Sequence, residues 1–307
     1  MTETRTRPVV LCFGEMLWDA LPHGLFPGGA PMNVAYHLHQ LGLRAVPVSA
    51  VGRDVLGDEL LRRVTAWGLD TDLICVRDDK PTGLVRVRME KGGPAYDIAE
   101  NVAWDRIELP AHLPEFVGQT RVLVFGTLAQ RAGHNRKPFA RLDRLCDQAI
   151  KVFDVNLRPP YDEPELVWSL AGTADVIKLN RDEAARLLGK SYPTAKLESA
   201  ARALSARAKC SCICITAGRD GAGMLMDSGW TWLPSHPIDA KDTVGAGDAF
   251  LAALVSGLLT DNQSAPDILR RARNLAEFVA SHDGATPAYG VSPAGEVSAP
   301  SLRKSVR

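Results

Sequence analysis

The chemically most suggestive stretch of the chain runs from Asp242 to Phe250 and reads DTVGAGDAF. Strand-like residues precede it, and an apolar helical pattern follows it. The small residues Gly245–Gly247 let the backbone approach an anion closely, and the first amides of a helix point outward where the dipole favours negative charge. The loop is therefore suited to holding the charge that develops on a transferring phosphoryl group.

Asp248 lies in the first turn of the predicted helix. A carboxylate at this position stabilises a helix start by capping it or by opposing its dipole. The same carboxylate beside an anion-binding loop is also suited to act as a general base toward an acceptor hydroxyl. The loop by itself favours neither role over the other.

Two familiar phosphate-binding motifs do not occur in the sequence. It has no G-x-x-x-x-G-K-[ST] segment, which argues against a P-loop enzyme. The first apolar strand pattern, Val9–Phe13, runs into Gly14–Asp19 without the G-x-G-x-x-G fingerprint. A Rossmann-type oxidoreductase is therefore disfavoured as well.

The charge balance narrows the classes of partner. The 307 residues contain 36 Lys and Arg and 36 Asp and Glu, so the chain carries no electrostatic footprint for nucleic acid or an anionic membrane. No apolar run approaches the ~20 residues that span a bilayer. We therefore expect a cytoplasmic globular protein without nucleic-acid or membrane partners. Cys210, Cys212 and Cys214 alternate, which fits a core strand better than a zinc site with C-x-x-C spacing.

Short apolar runs alternate with helical patterns along most of the chain. This alternation predicts an α/β fold in which helices cover both faces of a mostly parallel central sheet. The predicted strands are Val9–Phe13, Val46–Val51, Val122–Phe125, Lys151–Val155, Ala174–Leu179 and Cys210–Thr216. The predicted helices are Pro31–Leu41, Asp54–Trp67, Asn135–Gln148, Asp182–Leu188, Thr194–Ala206, Val244–Leu259 and Pro266–Ser281.

Residues 71–100 interrupt this alternation. Leu84–Met89 alternates apolar and polar positions, Lys91–Gly93 offers a turn, and Ala95–Ile98 follows. We interpret the segment as a two-stranded excursion, either an ordinary edge hairpin or a small β lid over a site. Because exposed sheet edges invite pairing, the lid is also a candidate homodimer surface. We expect one domain over residues 1–307.

A second glycine-rich turn that opens a helix, Gly28–Ala35, reads GGAPMNVA and is followed by Gly42. Together with Asp242–Asp248, it resembles the two signature segments of the PfkB (ribokinase-like) carbohydrate kinases. Further segments match the motifs of that family in the same order: Phe153–Pro159 with D-x-N-x-R, Lys178–Glu183 with N-x-x-E, Thr216–Ala222 with the nucleotide-side turn, and Gly284–Pro287 with G-A-T-P. The resemblance covers about residues 9–288.

The resemblance implies roles for individual residues. Asp248 would be the catalytic base, and the backbone amides of Gly245, Ala246 and Gly247 would form the anion hole. Asp19, just past the end of the first strand, would bind sugar hydroxyls, and Arg158 would reach the far side of the sugar or its carboxylate. The sugar-binding positions implied are Asp19, Gly29, Asn33 and Arg158.

The resemblance also implies nucleotide and metal positions. Residues of the nucleotide pocket would be Asn180, Thr216, Gly218, Gly221 and Asn274. Glu183 would hold Mg²⁺, often through water in that family, although the spacing from Asn180 equally fits a helix capping box. Asp242 is the counterpart of an Asp that many members use for a monovalent cation, which makes K⁺ a candidate. For Asn274, an exposed helical Asn is the alternative.

The activity implied is that of an ATP- and Mg²⁺-dependent sugar kinase. Glu15–Asp19, Tyr96 and Ala103–Asp105 look most like fructokinases within the family. A 2-keto-3-deoxygluconate kinase is the next alternative, in which Arg158 pairs with the substrate carboxylate; ribokinase and nucleoside kinase follow. A non-catalytic sugar-sensing protein of the same fold is expected to lose the base or the loop glycines, whereas this chain keeps them.

Overall fold

The computed structural model describes residues 7–21, 24–90, 93–292 and 297–299. Its strands are β1 (Val9–Phe13), β2 (Leu17–Leu21), β3 (Gly24–Gly28), β4 (Arg44–Gly52), β5 (Ile74–Arg77), β6 (Gly83–Glu90), β7 (Gly93–Ile98), β8 (Thr120–Gly126), β9 (Ile150–Asp154), β10 (Val176–Asn180), β11 (Cys212–Thr216), β12 (Ala222–Met226), β13 (Gly229–Leu233), β14 (Gly290–Val291) and β15 (Val297–Ser298). Its α-helices are α1 (Ala30–Gln40), α2 (Val55–Ala66), α3 (Pro114–Val117), α4 (Gly133–Leu145), α5 (Pro164–Ala171), α6 (Arg181–Leu188), α7 (Leu197–Ala208), α8 (Ala246–Leu258) and α9 (Ala265–Ala280). In this described part of the chain, no helix is both long and apolar enough to cross a bilayer.

A large sheet forms the centre of the fold, with the strand order β13-β12-β11-β10-β9-β8-β1-β4-β5. The strands from β11 to β5 run parallel, and β12 and β13 run antiparallel at one edge. Along β1, Leu11 and Phe13 enter one apolar core, while Val10 and Cys12 enter the other. Because both faces are covered, the middle parts of the parallel strands are mainly apolar. The predicted α/β fold is confirmed.

Helix α8 is buried along most of its length because it packs against both α1 and α9. Its segment Phe250–Val255 is apolar on every side, as expected of a helix in the middle of a core. The starts of α1 and α8 both follow glycines, Gly29 and Gly245, and both glycines have positive φ angles. This packing brings the two glycine-rich turns of the sequence to one place.

The predicted elements occur with ends that differ by a few residues. The helix predicted over Asn135–Gln148, for example, runs over Gly133–Leu145. The strand-like stretch before Asp242 is irregular in the structure, since Pro234 and Pro237 interrupt it and proline cannot donate to a strand ladder. Helix α5 and strands β12 and β13 were not predicted, because they are short and two of them begin at or contain glycine.

The three alternating cysteines are buried core residues. Cys212 and Cys214 lie on β11 within one apolar core, and Cys210, just before the strand, lies in the other. Within residues 7–299, leaving out the undescribed gaps, no group of three His, Cys, Asp or Glu side chains is arranged to hold a metal ion.

A second, four-stranded sheet has the order β3-β2-β6-β7. The two strands predicted within residues 71–100 correspond to β6 and β7 of this sheet. The same segment also contains β5, which was not predicted and pairs with β4 in the large sheet. Strands β2 and β3 were missed, because Leu17 and Trp18 are both apolar and hide the alternation. Leu17, Val85 and Trp104 belong to a separate small apolar cluster. The small sheet is therefore larger than the predicted lid.

Candidate active site

The carboxyl ends of the parallel strands carry several polar residues of the site. Asp154 ends β9, and in the strand register its neighbour on β10 is Lys178. Asn180 ends β10 and is aligned with Thr216 at the end of β11. Ligands of open α/β sheets bind at this edge. The sheet topology thus places these four residues, which are distant in sequence, along one edge.

Asp248 is held by a side chain from α1. The amide Nδ2 of Asn33 donates to its Oδ2 across 2.8 Å, and only 9% of Asp248 is exposed. Burial, followed by the negative charge of Asp154, raises the pKa of Asp248 from 3.8 to about 7, against the opposing effects of Asn33, Lys178 and Arg158. A carboxylate with a pKa near neutrality is well matched to accept a hydroxyl proton at neutral pH.

The loop before α8 presents backbone amides without internal acceptors. Gly245 is the N-cap residue with φ 77°, and no side chain caps the helix. The amides of Gly245 and Gly247 donate to no acceptor within the described residues, whereas the amide of Ala246 donates to the carbonyl of Thr243 at 3.3 Å. Two of the three amides predicted for the anion hole are therefore available to a ligand. A free helix start of this kind attracts anions.

Asp19 lies in the middle of β2, not just past the end of β1 as the sequence suggested. The chain turns at Gly14 after β1, and β2 joins the small sheet instead of ending at the large one. Burial raises the pKa of Asp19 to about 6, while the charge of Arg158 counteracts this rise. A Cβ at Gly28 would overlap the Asp19 carboxylate. Asp19 thus belongs to the small sheet and lies where the charge of Arg158 acts on it, and its role toward the sugar stays a prediction.

Gly29 has a structural reason to be glycine. Its φ angle is 109°, in a region that favours glycine, and a Cβ there would overlap the carbonyl of Glu15. It is the N-cap residue of α1, four positions before Asn33, and the amide of Asn33 donates to its carbonyl at 2.9 Å. Gly29 therefore sets the start of the helix that delivers Asn33 to Asp248.

Arg158 lies among carboxylates. Its positive charge acts on the pKa of Glu15, Asp19 and Asp248. Glu15 is 4% exposed and its Oε2 has no hydrogen-bond partner in the described part of the chain. Burial raises the pKa of Glu15. Glu15 was not assigned a site role from the sequence, although an acidic residue directly after the apolar strand β1 could have indicated one.

Glu183 and Asn180 form a complete capping box at the start of α6. The Asn180 side chain accepts from the amide of Glu183, and Glu183 Oε2 accepts from the amide of Asn180 at 2.8 Å. Its other oxygen, Oε1, accepts from the amide of Leu157 at 2.9 Å, next to Arg158. The structure thus shows the capping role. The magnesium role stays a prediction. It is compatible with the capping role, because each carboxylate oxygen of Glu183 keeps a lone pair that can accept from a metal-bound water.

The predicted nucleotide residues lie around β11 and α9. Gly218 has φ 55°, and its carbonyl accepts from Ser235 Oγ at 3.1 Å. The neighbouring Pro234 carbonyl accepts from Arg273, whose guanidinium also donates to Asn274 Oδ1 at 3.0 Å. These contacts link the Gly218 turn to Asn274 through residues 234–235.

Gly221 closes the same turn, with φ 131°, and its carbonyl accepts from the amide of Ala217. A Cβ at Gly221 would overlap the carbonyl of Leu233 on β13. Glycine at this position is therefore explained by the backbone alone. Its assignment to the nucleotide pocket stays a prediction.

Asp242 connects the loop before α8 to the segment of the chain that begins at Gly284, through hydrogen bonds to both. Its Oδ1 accepts from the amide of Val244 at 3.0 Å and its Oδ2 from the amide of Gly284 at 3.3 Å. A Cβ at Gly245 would come within 2.5 Å of Ala285, so the two segments are closely packed. Both oxygens of Asp242 serve this packing, and its role toward K⁺ stays a prediction.

Comparison with known proteins shows which family the chain resembles in sequence. The sequence pattern of the pfkB family carbohydrate kinases matches residues 23–289. The chain is 28% identical over 240 residues to the uncharacterized sugar kinase PH1459 of Pyrococcus horikoshii, covering 76% of this chain and 73% of that protein. It is 29% identical over 269 residues to a fructokinase of Rhizobium leguminosarum bv. trifolii, covering 83% and 81%.

Solved structures show the same fold. The crystal structure of PH1459 in complex with ATP covers 91% of this chain and 94% of its own, with a TM-score of 0.75 and 24% identity. That of a fructokinase from Vibrio cholerae O395 with fructose, ADP and calcium bound covers 92% and 95%, with a TM-score of 0.79 and 21% identity. Because the family pattern extends over most of the sequence, this protein belongs to the pfkB family of carbohydrate kinases and is an ATP-dependent sugar kinase.

Proposed function

We propose that this sugar kinase transfers the γ-phosphoryl group of ATP to a hydroxyl of fructose. The observation that carries the proposal is the contact between Asn33 and Asp248, a buried carboxylate beside the loop amides of Gly245 and Gly247. Relatives from Rhizobium leguminosarum and Klebsiella pneumoniae, 29% and 28% identical, are fructokinases. The nucleotide bound in the PH1459 structure is ATP.

The chemical step follows from these positions. The hydroxyl oxygen bonds to the γ-phosphorus while the bond from that phosphorus to the β-phosphate oxygen breaks and ADP leaves. Asp248 accepts the proton of the hydroxyl, and Asn33 fixes the orientation of the carboxylate. The amides of Gly245 and Gly247 donate to the phosphoryl oxygens, where charge accumulates. Positioning and electrostatics supply most of the acceleration in reactions of this kind. We expect the small sheet to close over the sugar and exclude water, which limits hydrolysis of ATP.

Magnesium fits the donor set near α6. Both oxygens of Glu183 already accept from backbone amides. This arrangement suits a contact to Mg²⁺ through water better than direct bidentate coordination. Mg²⁺ usually keeps several waters and binds substrate phosphates. When bound, it would neutralise phosphate charge. Asn180 and Glu183 would hold it through water.

The charges around Arg158 favour an uncharged sugar. A substrate carboxylate entering here would face one guanidinium and the carboxylates of Glu15, Asp19 and Asp248. Hydroxyl groups, by contrast, can donate to those carboxylates and accept from Asn33. This composition supports fructose over 2-keto-3-deoxygluconate.

A substrate panel tests the proposal. ATP consumption would be measured with fructose, 2-keto-3-deoxygluconate, ribose, tagatose and adenosine, each with and without K⁺ and Mg²⁺. We expect the highest kcat/KM with fructose, dependence on Mg²⁺, and stimulation by K⁺ through Asp242. A higher kcat/KM with 2-keto-3-deoxygluconate would overturn the substrate assignment. Absence of turnover with every sugar, while sugar still binds, would favour a sensing role.

A further inference from the structure

Lys178 is a buried cation with apolar neighbours on both sides along β10. It lies on β10 between Ile177 and Leu179, and 7% of it is exposed. Its Nζ forms an ion pair with Asp154 Oδ1 at 3.0 Å, and both side chains are almost completely buried. Lysine is rarely buried without a specific partner, because an unpaired charge in the interior is costly. The residue therefore calls for an explanation beyond packing.

The ammonium group of Lys178 lies directly under the start of α8. A Cβ at Gly247 would come within 3.2 Å of Lys178 Nζ, and apart from the adjoining residues no other heavy atom of the described part of the chain lies within 4 Å of that position. The glycine thus makes room for the ammonium group on the inner side of the loop. The catalytic carboxylate, Asp248, is the next residue.

Three charged groups and one neutral donor act on Asp248, each from a different segment of the chain. Asp154 of β9 bears the same charge as the Asp248 carboxylate, while Lys178 of β10 and Arg158 of the loop after β9 bear the opposite charge. Asn33 of α1 contributes a neutral hydrogen-bond donor.

Two more acids adjoin this group: Glu183 of α6 acts on Lys178, and Glu15 interacts with Asp154 and Arg158. Burial alone would lower the pKa of Lys178, but the charges of Asp154, Glu183 and Asp248 outweigh burial and raise it. Lys178 thus belongs to this group as the cation paired with Asp154 Oδ1 at 3.0 Å.

We propose that Lys178 is a positioning residue whose buried charge, set against that of Asp154, keeps Asp248 in the ionised form that the base requires. The proposal rests on the assignment of Asp248 as the base and extends it to Lys178 and Asp154, two buried residues paired with each other. Lys178 favours the ionised form of Asp248 and Asp154 disfavours it, because the two residues carry opposite charges and are buried to a similar extent. A pair retained only for stability would have no such signed effect.

The test is the pH profile of kcat/KM for Lys178→Met and Asp154→Asn. Lys178→Met removes the cation, so the acid limb should move to higher pH by about one unit, and activity at pH 7 should fall about fivefold. Asp154→Asn removes the neighbouring anion, so the acid limb should move to lower pH. The same sugar and saturating ATP are used throughout.

Lys178→Met leaves Asp154 buried without its partner and can unfold the protein. The double variant Lys178→Met/Asp154→Asn removes both charges, and we expect a folded protein with an acid limb near that of the wild type. Arg131→Met is the matched control, because Arg131 and Asp105 form another buried ion pair, with side chains 5% and 9% exposed. That variant should leave the acid limb in place even where it lowers stability.

The outcomes separate this proposal from the function it extends. Limb shifts of opposite sign in the two single variants support it. An unchanged limb in Asp154→Asn, or shifts of the two single variants in one direction, overturn it. If Asp248→Asn keeps wild-type turnover, the assignment of the base fails instead. If another sugar proves to be the substrate, the limb shifts are still expected, since they do not depend on which hydroxyl is phosphorylated.

Discussion

The side-chain amide of Asn33 donates to Asp248 across 2.8 Å, although the two residues are 215 positions apart in the chain. The contact joins the first turns of α1 and α8, each of which begins after a glycine with positive φ. The first turn of α1 thus contributes the hydrogen-bond donor Asn33, and the first turn of α8 contributes the carboxylate of Asp248 and the free amides beside it. Substrate orientation and proton removal would depend on the same helix pair.

Asp248→Asn should reduce kcat by about 10²–10⁴-fold, the usual contribution of a general base. The amide side chain is nearly the same size but cannot accept the hydroxyl proton, so the sugar KM should change little. Steady-state kinetics at saturating ATP measures both values, with a melting curve to verify folding. Turnover close to that of the wild type would contradict the assignment.

Asn33→Ala should move the acid limb of kcat/KM to higher pH. The Asn33 hydrogen bond lowers the pKa of Asp248, so its loss lets burial and Asp154 raise that pKa further. Activity should therefore fall more at pH 6 than at pH 8.5, and the sugar KM should rise. Kinetics at both values of pH measures the difference. An equal loss at both would indicate that Asn33 acts on sugar binding alone.

The raised pKa of Asp248 predicts an inverse pH dependence of stability. Since the pKa is about 7 in the folded protein and 3.8 ordinarily, the folded state holds this proton more tightly, and the contribution of Asp248 falls as pH rises through about 4 to 7. Asp248→Asn should then be more stable than the wild type at pH 8, by at most about 4 kcal/mol. Urea unfolding of both proteins at pH 5 and pH 8 measures the difference in their free energies of unfolding. A difference that does not grow with pH would argue against a raised pKa of Asp248 in the folded protein.

Gly28→Ala should weaken sugar binding. The added Cβ would overlap the Asp19 carboxylate, which must then move away from its place between β2 and β3. We expect a rise of the sugar KM by about tenfold, or about 1.4 kcal/mol, with little change for ATP. Gly118→Ala is the control, because a Cβ there meets no atom within 4 Å among the described residues other than its chain neighbours. An unchanged sugar KM in the Gly28 variant would place Asp19 outside the sugar site.

Glu183→Gln separates the two roles open to Glu183. The amide oxygen of Gln can still complete the capping box, but its NH₂ group cannot replace the second acceptor, so one of the amides of Asn180 and Leu157 is left unpaired, at a cost of roughly 1–3 kcal/mol of stability. Loss of the negative charge should raise the Mg²⁺ concentration needed for half-maximal activity. Thermal melting and a Mg²⁺ titration measure the two effects. Ser264→Ala removes the cap of α9 without touching the site and should change stability only. A Glu183 variant that does the same would restrict Glu183 to the capping role.

Local patterns in the sequence determined much of the fold. Continuous apolar runs predicted the parallel strands, and helical periodicity predicted the main helices, because burial on a sheet face and helix amphipathicity leave signals within a few residues. The glycine-rich turns before α1 and α8 were also readable, since close approach of the backbone requires small residues. The resemblance of the six segments in order predicted the family, which the match over residues 23–289 confirms.

The tertiary structure alone decided which side chains meet. Lys178 and Asp154 form their buried pair because β9 and β10 are neighbours, and no pattern within either strand shows that neighbourhood. Asp19 comes from a second sheet whose short strand has no clear alternation. The raised pKa of Asp248 likewise comes from burial and from charges far away in sequence, and such long-range electrostatics exists only once the chain has folded.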